Sequence, residues 1–138
     1  IKIKVLMDLK ILEIASDTKN NKNIKDYTHI AKSKNPVCGD EIKIKLVIKD
    51  EKLIDFGYQG KSCVYCQATA SILSKNLIKY KKSKINEMCD FAKSFFDKKN
   101  NNIEKKWSFL NKLFNQKNIS RKECILLPFK ALKKIVSN

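Results

Sequence analysis

The chain of 138 residues predicts an α+β fold, a small antiparallel β-sheet with helices packed on one face, formed as a single domain over residues 1–138. Three observations lead to this expectation. A period-two hydrophobic run precedes residue 60, spacings of three and four take over after Cys63, and no repeat or extended low-complexity linker divides the chain. Strands therefore cluster first and helices follow.

The clearest strand is Ile42, Ile44, Leu46 and Ile48 alternating with Lys43, Lys45, Val47 and Lys49, the pattern of a half-buried strand. Asp50-Glu51-Lys52 makes a turn, and Leu53 to Tyr58 returns as the antiparallel partner. Arms of nearly equal length bring the two ends of a hairpin together. The residues before Ile42 and after Tyr58 are thus expected to be neighbours.

Upstream, Met7 to Ala15 reads as a short amphipathic helix with Leu9, Leu12 and Ile11 on its apolar face. Ser16 to Lys34 is rich in Asn, Lys, Asp, Thr and Ser and reads as a surface loop, with His29 an exposed bystander in it. Downstream, Cys66, Ala70, Leu73 and Leu77 mark a helix beginning near Cys63, and the small residues Ala68 to Ser71 allow close packing on the sheet. Ser83 is expected to cap a second helix on which Ile85, Met88, Cys89, Ala92, Phe95 and Phe96 form one stripe, making Cys89 a core residue. Lys98 to Asn102 is a polar break. Beyond it, Ile103, Trp107, Leu110, Leu113 and Phe114 suggest a third amphipathic helix, and Asn115 to Ser120 a loop. The last helix carries Phe129, Leu132, Ile135 and Val136, with Pro128 near its first turn and Cys124 near its start.

The formal net charge of +16 invites comparison with nucleic-acid-binding proteins. Its make-up argues otherwise. Arg121 is the single arginine, and the lysines are spread over every segment without interleaved aromatic residues. A basic surface of this kind favours an acidic protein partner rather than nucleic acid. No apolar run reaches the roughly 18 residues that span a bilayer, and Ile1 to Leu6 alternates with lysine, so no membrane association and a cytoplasmic location are expected.

Five cysteines, at positions 38, 63, 66, 89 and 124, suit metal ligands, reactive thiols or core positions better than disulfides in such a chain. Around the first of them runs Asn35-Pro-Val-Cys-Gly-Asp40. Pro36 fixes a turn, Gly39 permits an unusual backbone angle, and Cys38 and Asp40 offer a thiolate and a carboxylate two residues apart. The hairpin should deliver Cys63 beside them, at a helix start where free N–H groups and the helix dipole favour a thiolate. With the distant Cys124, these residues are read as a metal site.

Asn35-Pro-Val-Cys-Gly-Asp40, Tyr58-Gln-Gly-Lys-Ser-Cys63, Ala68-Thr-Ala-Ser71 and Arg121-Lys-Glu-Cys-Ile-Leu-Leu127 together resemble the iron–sulfur cluster assembly family that includes IscU, SufU and the N-terminal domain of NifU. The likeness runs from about residue 7 to residue 136. It implies a metal site on Cys38, Asp40, Cys63 and Cys124, holding zinc or iron as a 2Fe-2S cluster. Within the family the chain is more similar to SufU: Glu123 replaces the histidine that precedes the last cysteine in IscU, Ile103 to Ser120 can be the SufU insertion, and Arg121 stands three residues before Cys124. It departs from the family at Ser62, usually glycine, and Thr69, usually serine. Glu123 also places a carboxylate beside Cys124 that is expected to disfavour its thiolate.

What the resemblance implies for function is a zinc-dependent acceptor of sulfur from a cysteine desulfurase, with Cys124 as the catalytic, persulfide-forming sulfurtransferase thiol. The alternative is a scaffold on which the same residues hold a transient 2Fe-2S cluster for downstream assembly or acceptor proteins. A third reading takes Cys63-Val-Tyr-Cys66 as a C-x-x-C thiol redox pair. It lacks the βαβ pattern that usually precedes such a motif, and Cys66 reads better as a small apolar residue on the inner side of its helix.

Overall fold

Asp50 and Glu51 both adopt positive φ, 53° and 65°, and so close a two-residue hairpin whose twist matches the strands it joins. The strands are β2 (Glu41–Lys49) and β3 (Lys52–Lys61), paired antiparallel with a bulge between Val47 and Ile48. The computed structural model describes residues 2–97 and 102–137, with side chains described from residue 9 onward.

A third strand, β1 (His29–Lys34), pairs antiparallel with the other side of β2, giving the order β1-β2-β3. This corrects the reading of residues 16–34 as loop throughout. The segment 29–34 alternates exposed Ile30, Lys32 and Lys34 with buried Ala31 and Ser33, a period-two pattern whose buried members are too small to announce a strand by hydrophobicity. His29 accordingly begins a strand in register with Leu46, and its Nδ1 lies 2.8 Å from the Thr28 hydroxyl.

The sheet turns Ile42, Ile44, Leu46, Leu53, Phe56 and Tyr58 toward the helices, and all are buried. The helices are α1 (Lys2–Ser16), α2 (Val64–Asn76), α3 (Lys82–Phe95) and α4 (Lys122–Val136). Helix α4 packs on β1 and β2 and also touches α2 and α3, while α1 packs on α2. Small residues make this possible. Ala68, Thr69, Ala70, Ser71 and Ser74 of α2 are all buried, and the Thr69 hydroxyl is satisfied by donating to the Tyr65 carbonyl at 3.0 Å.

Several expected elements take a different form. In α1, which packs on α2, the buried residues are Ile11 and Ala15, while Leu9 and Leu12 are 53% and 49% exposed, so the apolar face differs from the expected one. Helix α3 starts one residue before Ser83, with Lys81 as its N-cap. The expected helix at Ile103–Phe114 is a 3-10 segment over Lys105–Leu110 followed by turns, and a second 3-10 segment covers Gln116–Arg121 where a loop was expected. Trp107, Leu110 and Leu113 recur every three residues, which matches the 3-10 repeat, and all three are buried. The buried Asn118 holds the two pieces together by donating to the carbonyls of Lys112 (3.3 Å) and Leu113 (3.0 Å). Pro128 is the seventh residue of α4 rather than a first-turn residue. The polar break at 98–102 lies, except for Asn102, outside the described residues.

Two features predict measurable stability effects. Gly60 faces β2 so closely that an added Cβ would lie 2.1 Å from the Glu41 carbonyl oxygen, whereas one at Gly39 would meet nothing within 4 Å. Gly60→Ala should therefore lower unfolding free energy in urea by about 2 to 3 kcal/mol, and Gly39→Ala, at φ +80°, by about 1 kcal/mol; equal losses would contradict the close approach. Phe114 has ring centroids of Phe91, Phe95, Phe96 and Phe129 within 5.1 to 5.9 Å. Phe114→Ala should cost about 3 to 5 kcal/mol in the same measurement.

Candidate metal centre

The loop Asn35-Pro-Val-Cys-Gly-Asp40 is the connection between β1 and β2, and its first residue organises it. The Asn35 N–H donates to the Asp40 carbonyl (2.8 Å), its own carbonyl accepts from Gly39 (2.8 Å), and its side-chain Oδ1 accepts from the Val37 N–H (3.0 Å). Gly39 supplies the positive φ that lets the chain double back. The result leaves Cys38 exposed at the tip and Asp40 half-buried at the base.

Register then brings in Cys63. Glu41 pairs with Lys61, so the residues leaving β3 pass beside Asp40. Cys63 is the N-cap of α2, and its N–H donates to Asp40 Oδ2 at 3.1 Å. One of the N–H groups that a helix start leaves without an internal partner thus orients the carboxylate.

Cys124 comes from the opposite direction, in the first turn of α4, and is only 9% exposed. Pro128, four residues on, has no N–H to offer the Cys124 carbonyl, so the regular helical ladder is interrupted at this cysteine. The ligating atoms of Cys38, Asp40 and Cys124 lie within 4.8 Å of one another. Cys63 is outside that triplet but its thiol is a hydrogen-bonding neighbour of Cys124. Donors arranged tetrahedrally around zinc at about 2.3 Å stand about 3.8 Å apart, so the spacing of Cys38, Asp40 and Cys124 suits a small thiophilic cation, with the Cys63 thiol beside it.

Electrostatics point the same way. The Cys124 thiol is pushed well above its ordinary value, first by burial, then by its hydrogen bond with Cys63 and by the nearby charges of Cys63, Asp40 and Cys38. Groups whose ionised forms are all negative oppose one another's ionisation, and a bound cation reverses that balance. Glu123 is not among these causes. Its carboxylate is half-exposed and pairs with Lys130 at 2.9 Å, so the expected contribution of Glu123 to disfavouring the Cys124 thiolate is not among those found. Arg121 lies over the Tyr65 ring, 5.5 Å from its centroid.

The remaining titratable candidates are placed elsewhere or sealed. Cys66 is fully buried behind Cys63, and burial pushes its thiol up to about 12 despite a hydrogen bond with Ser62. Cys89 is buried in the core between α3 and α4, likewise pushed up to about 12 by burial. His29 sits at the end of β1 remote from Lys34 and the loop. Sequence reasoning did not identify β1 as one of the two supports of the Cys38 loop; the alternation of Ala31 and Ser33 with lysines was the available signal.

Comparison with known proteins extends these observations. The family model described as the NifU-like N-terminal domain matches residues 7–92, a span that includes Cys38, Asp40 and Cys63 and stops short of Cys124. The iron-sulfur cluster assembly scaffold protein IscU of Thermotoga maritima is 30% identical over 131 residues, covering 94% of this chain and 92% of that protein. Among solved structures, the N-terminal NifU-like protein from Brucella abortus superposes with a TM-score of 0.83 at 19% identity, over 93% of this chain and 90% of that one. The SUF-system scaffold protein FiSufU from Fervidobacterium islandicum AW-1 gives a TM-score of 0.81 at 24% identity, over 90% and 91% of the two chains. These likenesses, at the level of the fold, join the family match and the IscU relative, and the chain belongs to the NifU-like N-terminal domain family.

Proposed function

We propose that this protein works in iron–sulfur cluster assembly, with Cys38, Asp40, Cys63 and Cys124 as its metal-binding residues and a cysteine desulfurase as its sulfur-donating partner. The observation that carries the reading is the convergence of Cys38, Asp40 and Cys124 ligating atoms within 4.8 Å, with the Cys63 thiol meeting Cys124. Support comes also from the family and from the IscU relative, which is named as a cluster assembly scaffold.

Zinc, when bound, would keep the thiols ionised at neutral pH. The chain's own residues supply the rest. Asp40, oriented by the Cys63 N–H, is the oxygen donor and the weaker of the four attachments to a soft cation. Cys124 is the proposed sulfur acceptor. Its thiolate attacks the outer sulfur of a persulfide on the desulfurase; the S–S bond there breaks, a new S–S bond forms on Cys124, and the electron pair leaves with the desulfurase thiolate. No net oxidant or reductant is needed. Arg121, the insertion 103–120 and the absence of a histidine before Cys124 favour this SufU-like version.

A second reading is that of a scaffold, in which the four residues hold a nascent 2Fe-2S cluster as cargo for acceptor proteins. The mixed thiol and carboxylate donors favour it, since one oxygen attachment leaves a cluster easier to release. The C-x-x-C redox reading is disfavoured by Cys66, whose thiol is fully buried and pushed up to about 12.

Protein purified without oxygen should contain about one zinc per chain and no acid-labile sulfide if it accepts sulfur, and iron with sulfide if it is a scaffold; absence of any metal would sink both. Desulfurase stimulation should vanish in Cys124→Ala and survive in Cys66→Ala. Thiol labelling gives an independent check. After chelation, iodoacetamide at pH 8 should alkylate exposed Cys38 first and leave Cys66 and Cys89 unmodified until denaturant is added, because a thiol of pKa near 12 is ionised in about one molecule in ten thousand. Rapid alkylation of Cys66 in the folded protein would restore the redox reading.

A further inference from the structure

The outer face of the sheet, turned away from the helices, carries a pattern that the chain order hides. Strand register sets Lys34, Glu41 and Lys61 in one row across β1, β2 and β3, and Lys32, Lys43 and Gln59 in the next. Four lysines and one carboxylate therefore occupy two adjacent rows, although the chain has 14 acidic residues. Lys32 stands directly opposite Lys43. Like charges in that position repel, so the arrangement works against the stability of the sheet. None of these four lysines forms an ion pair among the described residues.

The other half of the same face is closed off. Ile24 packs over Gly57, the Lys22 carbonyl approaches the same glycine, and Lys45 is held by the Asn23 side chain (2.6 Å) and the Tyr27 ring (4.7 Å to its centroid). Cover by residues 20–28 thus ends where the lysine rows begin. Lys32, Lys34 and Lys61 are exposed and Lys43 half-exposed. The open rows also lie at the functional end: Lys34 precedes Asn35, Glu41 follows Asp40, and Lys61 is two residues from Cys63.

We infer that this open half of the outer sheet face is a docking surface for an acidic protein segment, which Lys32, Lys34, Lys43 and Lys61 recognise beside the Cys38 loop. The segment lies across the face rather than adding a strand. On the edges, Lys134 of α4 donates to the Lys32 carbonyl on β1, and the Tyr58 N–H of β3 is taken by the Asn20 carbonyl. An acidic peptide fits better than nucleic acid because the cations of the open rows are all lysine ammonium groups, with neither arginine nor an aromatic ring for base stacking. The inference is independent of whether the thiols hold a metal.

The test measures binding of a fluorescent poly-glutamate peptide to the full chain at low and moderate salt. A double variant Lys32→Glu/Lys43→Glu should weaken binding about fivefold or more at low salt and flatten its salt dependence, whereas Lys112→Glu/Lys117→Glu, the same charge change elsewhere, should change it less than about twofold. The single variant Lys43→Glu should raise the urea midpoint, since it replaces a cross-strand repulsion by an attraction, and so shows that lost binding is not lost folding. Equal weakening in the two double variants, or no peptide binding by the parent chain, overturns the proposal. So does a single-stranded oligonucleotide of matched charge that binds more tightly than the peptide through Lys32 and Lys43, which would make the partner a nucleic acid.

Discussion

The register of β2 against β3 is the constraint on which the rest depends. Gly60 stands opposite Ile42 and so close to the Glu41 backbone that no side chain fits, and from this point Asp40 and Cys63 emerge together. A slip of one residue would turn Ile42, Ile44 and Leu46 from the helices into water and displace Cys63 from Asp40 by about 3.4 Å. Burial of the sheet's inner face therefore also holds the bond from the Cys63 N–H to the Asp40 carboxylate. Packing and chemistry share one cause here.

Five cysteines of the same intrinsic chemistry are separated by what surrounds them. Cys38 stands on an exposed loop tip, Cys63 at a helix start, and Cys124 under the first turn of α4 against two other thiols and a carboxylate. Cys66 and Cys89 are buried, and burial pushes both thiols up to about 12, so that they stay protonated near neutral pH. Burial alone does not sort them, since Cys124 is also buried. The difference is company: the Cys124 sulfur lies within 4.8 Å of the ligating atoms of Cys38 and Asp40, so a cation held there would favour its thiolate.

The two faces of the sheet divide labour in the same way. The inner face is apolar and takes α4, while the outer face is half covered by residues 20–28 and half left with lysines. A repulsive Lys32–Lys43 pair is tolerated because the inner face contributes the stability. Charge that reads as evenly distributed along the chain becomes local once three strands lie side by side.

Much of this was legible in the chain. Alternation at 42–49 marks a strand because side chains on a pleat point to opposite sides every second residue, and the three-to-four spacing of Cys66, Ala70, Leu73 and Leu77 marks a helix for the corresponding reason. The motif likewise singles out Cys38, Asp40, Cys63 and Cys124, of which Cys38, Asp40 and Cys124 bring their ligating atoms within 4.8 Å of one another. Tertiary contacts decided what no local period reports: that Ala31 and Ser33 belong to a strand, that Ile11 rather than Leu9 faces the core, that Trp107 and Leu110 lie in a 3-10 segment, and that Glu123 pairs with Lys130. Period follows from the geometry of one element, whereas the choice of face, the distance between remote thiols and the partner of a charge depend on which other elements pack against it.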